Sequence, residues 1–264
     1  KEILKTPKAM EQIFAAAHAP YSYGLRFLEK YWEGIVEYWF SFEIVGFAGE
    51  SHFYIRTPKQ FRNLIESAIY GQYPGAEIAD VEDYAKQMPH ILPNKDFTLF
   101  GNEQIFLKPS CYPIRTYPMF EESVEERRID PIAGLLEIMS RLKGDEQIWI
   151  QILTRPTGDD WKKEGEAIIN KIFGREEKKK PSLWEFFGFG VTAGEVVRSP
   201  FEHPSLEVKK KEKDQPNFKF LVLSPSEKEI TEGIGRKIAK LGFETTIRFL
   251  YIDKRESFNR DNVA

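Results

Sequence analysis

Few residue types that carry enzyme chemistry stand at a useful spacing in this chain. Glu77, Asp80, Glu82 and Asp83 form an acidic cluster that could hold a divalent cation. Asp80 and Asp83 would be its centre if the chain were a metal-dependent enzyme. The spacing follows no calcium-loop pattern, and a solvated strand end is the favoured reading of the cluster. The four histidines, His18, His52, His90 and His203, are scattered, and none forms a His-Glu-x-x-His ligand pair. Cys111 is the single cysteine, which excludes an intrachain disulfide and a multi-cysteine zinc site. No neighbouring base can be named that would activate its thiol, so an inert thiol is expected. A phosphate loop of the Gly-x-x-x-x-Gly-Lys-Ser/Thr type is absent. Gly188-Phe-Gly190-Val-Thr-Ala193 mimics a dinucleotide fingerprint, yet it follows no clean strand and opens no clear helix. No catalytic, cofactor or metal residue, no cofactor and no small-molecule substrate is identified, so the expectation is that the chain is not an enzyme, with a metal-dependent enzyme as the lesser alternative.

Binding chemistry is better represented. Trp39, Tyr54 and Trp149 fall on strand faces and could make a stacking platform for single-stranded nucleic acid. The aromatic signature of RNA-binding sheets is missing, so this stands as the alternative. The strongest local signal is a loop. Lys178, Lys179 and Lys180 on one side and Lys209, Lys210 and Lys211 on the other bracket Trp184, Phe186, Phe187 and Phe189. Such aromatics can enter a membrane interface while the lysines meet anionic headgroups. The favoured reading has these aromatics pack back onto the domain while the lysines are solvated, with contact to a protein partner a third choice. Between residues 175 and 216, eight acidic residues against nine basic ones dilute the charge attraction.

Composition bounds the choice. The chain has 264 residues, 41% apolar and 30% charged, an ordinary globular balance. Lys and Arg number 38 against 41 Asp and Glu, a net −3, so no global basic footprint invites nucleic acid. No apolar run approaches the roughly 20 residues that span a bilayer. Residue 1 is Lys rather than Met, so the numbering is expected to begin inside a longer reading frame.

The elements that must position these residues announce themselves by their caps. Thr6-Pro7, Thr57-Pro58, Asp130-Pro131 and Ser224-Pro225 each place a capping oxygen before a proline suited to the first helical turn. Thr57 with Gln60 and Ser224 with Glu227 extend into capping boxes. Apolar stripes follow: Phe61, Leu64, Ile65, Ala68 and Ile69; Ile132, Leu135, Leu136, Met139 and Leu142; Ile230, Ile234, Ile238 and Leu241. Another helix is expected over 160–173. Alternation predicts strands around Phe40–Phe42–Ile44, Phe53–Ile55, Ile148–Ile150–Ile152, Phe218–Phe220–Val222 and Ile247–Phe249–Tyr251, with a short one over 76–81. The order predicts an α+β fold of two ferredoxin-like, split βαβ units, with antiparallel sheets covered on one face by helices. The first unit, with an N-terminal helix, would span 1–120. The second would span 121–264 and carry a long insertion at 175–217, where apolar periodicity is absent.

Several stretches resemble a known family. They are Lys1-Glu-Ile-Leu-Lys-Thr-Pro-Lys-Ala-Met-Glu-Gln-Ile-Phe14, Trp39-Phe-Ser-Phe-Glu-Ile-Val45, His52-Phe-Tyr-Ile-Arg56, Phe61-Arg-Asn-Leu-Ile-Glu-Ser67 and Tyr70-Gly-Gln-Tyr-Pro74. Trp149-Ile-Gln-Ile-Leu153, Asp160-Trp-Lys-Lys-Glu-Gly165, Ile247-Arg-Phe-Leu-Tyr251 and Phe258-Asn259 continue the match over nearly the whole chain. The family is a set of membrane-anchored proteins of unknown function from uncultured small-genome bacteria. The region is also similar to the N-terminal part of type IV secretion or conjugation ATPases, without their motor. The resemblance implies a membrane-proximal module on the cytoplasmic side of a bacterial membrane, behind a spanning segment. Its expected role is assembly or docking in a secretion or DNA-transfer machine. Its expected partners are other protein components, with an anionic membrane surface second and nucleic acid less favoured.

Overall fold

The computed structural model describes residues 7–21, 27–119, 130, 132–174 and 223–263. One edge of its sheet is a β-hairpin. Strands β1 (Phe40–Phe47) and β2 (Glu50–Arg56) pair antiparallel around a two-residue turn. Ala48 and Gly49 in that turn both take positive φ, 52° and 79°. This turn geometry matches the right-handed twist of the flanking strands. β3 (Phe97–Gln104), β4 (Gln147–Thr157) and β5 (Gly242–Lys254) complete one five-stranded sheet in the order β2-β1-β4-β5-β3.

Among the described residues the fold is thus α+β with one antiparallel sheet, where two sheets were expected. Strands from both sides of residue 120 join it, because β1 pairs directly with β4. A split βαβ unit has two parallel strands held apart by a third that is antiparallel to both. Every neighbouring pair among the described strands is antiparallel, so β3 and β4 run parallel to each other on either side of β5. The strand expected over 76–81 does not form, and that stretch pairs with no ladder. β3 forms instead, although Gly101, Asn102 and Glu103 are poor strand formers. The strand expected over 218–222 lies outside the described residues.

The helices are α1 (Met10–His18), α2 (Phe27–Tyr31), α3 (Arg62–Gln72), α4 (Ala133–Ser140), α5 (Lys162–Ile172) and α6 (Pro225–Ile238). α6 starts as its sequence implies. Ser224 Oγ accepts from the Glu227 amide, and the Glu227 carboxylate accepts from the Ser224 amide at 2.9 Å. That box contributes about 1 kcal/mol. The Thr57 box does not form. A 3-10 turn, Lys59–Phe61, precedes α3, and no side chain caps it. Asp130 Oδ1 accepts from the Ile132 amide at 3.0 Å ahead of α4.

Strand alternation sends apolar side chains to both faces of the sheet. On one face Phe40 packs with Ala17 of α1 and Ile65 of α3, and Ile148 and Tyr251 pack with Met139 of α4. α4 comes close because β1 offers a glycine there. A Cβ on Gly46 would stand 2.6 Å from Met139 Cγ. Among the described residues the opposite face is covered without a long helix. Val45, Trp149 and Ile252 pack under Tyr84, with Met88 and Leu92 beside them, all from the segment between α3 and β3.

Candidate docking surface

The residues that could have done chemistry are dispersed. Asp80 accepts from Arg62 at 2.7 Å, and Arg62 also holds Glu66 at 2.7 Å. Asp83 turns the other way, accepting from the Ala85 amide at 3.0 Å and lying 3.6 Å from Arg56. The two carboxylates are thus neutralised by different arginines. Among the described residues no group of three or more His, Cys, Asp or Glu converges to hold a metal ion. His18 Nε2 lies 3.2 Å from the Thr157 carbonyl, with its ring edge-on to Phe243. His52 is stacked on Phe47 at 4.5 Å. Cys111 is fully buried, and burial followed by the Glu164 charge pushes its thiol up, away from the reactive thiolate. Nearby Lys237 donates to the Tyr112 carbonyl at 3.0 Å, and burial holds its pKa below the ordinary lysine value.

The three aromatics expected to form a stacking platform do not share an open surface. Trp149 is buried, and its Nε1 donates to Gln147 Oε1 at 2.9 Å. Tyr54 stacks on Tyr84 at 5.1 Å, and Tyr84 sits edge-on to Trp149 at 4.8 Å. Tyr84 therefore fills the place a base would take. Its Oη donates to the Glu43 carboxylate and accepts from Gln151 Nε2 at 2.8 Å. Burial first, then the bond to Glu43, pushes the phenol far above its ordinary range. Tyr84 is a neutral donor that fastens the segment around it to the sheet. Only Trp39 of the three is exposed, with the Arg56 guanidinium 5.4 Å above its ring.

Lys178, Lys179, Lys180, Trp184, Phe186, Phe187, Phe189, Lys209, Lys210 and Lys211 all lie outside the described residues. A second apolar surface is in view. Leu28, Tyr31, Trp32, Ile35, Val36, Tyr38 and Trp39 are exposed in the stretch that leads into β1, Trp32 at 87% and Val36 at 70%. Tyr38 meets Phe61 edge-on at 4.9 Å and lines a shallow groove of about 500 Å³ with Pro58, Lys59 and Gln60. Its signal in the sequence is a helical period, since Leu28, Tyr31, Trp32, Ile35, Val36 and Trp39 recur three and four apart with Glu29, Glu33 and Glu37 spaced by four beside them, although only Phe27–Tyr31 is helical. No helix among the described residues is long and apolar enough to cross a membrane.

What this arrangement can do is bind. Apolar patches of this extent on a folded surface mark contact with a protein or a membrane. Comparison with known proteins adds a family and no activity. No curated protein and no solved structure matches the chain. The family described as a domain of unknown function (DUF8128) matches residues 37–262, and the chain belongs to it.

Proposed function

We propose that the chain is a non-catalytic docking module. It works close to the cytoplasmic face of a bacterial membrane and holds other protein components of a type IV secretion or DNA-transfer machine. The exposed stretch 28–39 is the observation that supports this reading most. Apolar area left in water forfeits about 25 cal/mol per Å² that burial would return. Tryptophan and tyrosine are also the side chains favoured where membrane meets water. Glu29, Glu33 and Glu37 repel an anionic lipid surface, which favours a protein component as the principal contact. The lysine-bracketed aromatics from Lys178 to Lys211 would supply the secondary contact with anionic headgroups.

A photo-crosslinking residue in place of Trp32 tests the reading in native membranes. The expected product is an adduct with a subunit of the secretion or transfer channel. Adducts with lipid alone, or none, would sink it.

A further inference from the structure

The turn between β1 and β2 determines which backbone groups of β2 face outward. A two-residue turn makes Phe47 and Glu50 a hydrogen-bonded pair, and such pairs recur at every second position. The bonded pairs of the register are then Val45–His52, Glu43–Tyr54 and Ser41–Arg56. Ser51, Phe53 and Ile55 direct their N–H and C=O groups away from β1. Among the described residues no strand lies beyond β2. The strand Glu-Ser-His-Phe-Tyr-Ile-Arg carries neither the proline nor the lysine that natural edges use against pairing.

These seven residues are complementary to themselves. Antiparallel pairing centred on Phe53 sets Glu50 opposite Arg56 of a second copy, and symmetry repeats that pair at the other end. Both charges lie on the same face of the strand, since they are separated by an even number of positions. Within one copy Glu50 is 3.6 Å from His52, and Arg56 is 3.6 Å from Asp83. These are long contacts that leave both charges able to take a closer partner. Ser51 falls opposite Ile55, His52 opposite Tyr54, and Phe53, 64% exposed, meets its equivalent. In this register each outward N–H of residues 51, 53 and 55 meets an outward C=O. A shift of two residues forfeits both charge pairs.

We infer that β2 pairs with β2 of a second copy of this chain, continuing the sheet across a two-fold axis. The contact is isologous and closes at the dimer. It stands apart from the docking reading, and its failure would leave the adduct expected from Trp32 untouched.

Sedimentation equilibrium of the full chain tests it. The chain should dimerise with rising concentration. Glu50→Arg or Arg56→Glu alone should weaken the dimer about tenfold, and the double exchange should restore it. Phe53→Lys should abolish the dimer while the exposed site keeps the fold, checked by circular dichroism. Asn102→Lys on β3 should change nothing. A monomer at every concentration would overturn the inference, as would a dimer indifferent to charge reversal. Slow amide exchange at Ser51, Phe53 and Ile55 in a monomeric sample would overturn it too, because another part of the same chain would then cover the edge.

Discussion

The two edges of the sheet are built from opposite materials. β2 is short, aromatic, and charged oppositely at its two ends. β3 ends in Gly101, Asn102, Glu103 and Gln104, all exposed. Turn chemistry pins the start of β3. Asn94 Oδ1 accepts from the Asp96 and Phe97 amides at 2.9 and 2.8 Å, and Arg255 Nη2 donates to the Asn94 carbonyl at 2.9 Å. Folded antiparallel on itself, β3 would set Phe97 against Gln104 and Thr98 against Glu103, pairings with no attraction to offer. Glycine and amide side chains keep one edge solitary, while the other is left competent to pair.

Three substitutions sharpen this contrast, read as amide exchange along each edge together with denaturation midpoints. The largest effect belongs to Tyr84→Ala. It removes the ring that Tyr54 of β2 stacks on and the bonds to Glu43 and Gln151, at a cost of about 3–5 kcal/mol. Exchange should rise more along β2 than along β3. Equal acceleration of both edges would mean that Tyr84 supports the whole sheet alike. Gly46→Ala comes next. The new methyl meets Met139, so α4 must shift, at about 1–3 kcal/mol in urea. The hairpin should loosen while β3 keeps its protection.

The smallest effect is electrostatic. Lys240 donates to Glu11 at 2.7 Å and Tyr117 donates at 3.2 Å, joining α1 to the chain just after α6. The bond from Lys240, ahead of that from Tyr117, holds the Glu11 carboxyl below its ordinary value of 4.5. A depressed folded value stabilises fully above the unfolded value and is lost as pH falls through the folded one. Thermal midpoints should therefore drop slightly less below pH 4.5 in Glu11→Gln than in the parent chain. Neither edge should change its exchange pattern. A change in β2 would show that the two regions are coupled.

Much of this framework was legible beforehand, and the exceptions have physical causes. β1, β2, β4 and β5 announce themselves because β-branched and aromatic residues alternate with polar ones. The box at Ser224 is a local arrangement that three residues suffice to specify. β3 escapes notice because Gly101-Asn-Glu-Gln breaks its alternation, and the sheet chose it over the acidic stretch 76–81. One sheet in place of two is a matter of which distant strands meet, and β1 with β4 is a pairing that no local window contains. At the surface, exposure rather than residue type marks 28–39. The same aromatics would read as core had a helix covered them.

The pairing of β3 has a consequence for how the chain is made. β3 bonds only to β5 among the described strands, with Phe97 opposite Lys254. At about 5–20 residues per second, synthesis holds β3 waiting roughly seven to thirty seconds for that partner. β1, β2 and β4 can assemble in the interval, leaving β4 with one raw side until β5 arrives. On the ribosome the nascent sheet therefore grows from the hairpin outward, and a message cut short before β5 yields two unclosed strands. Such a product exposes backbone that invites aggregation and should be degraded quickly.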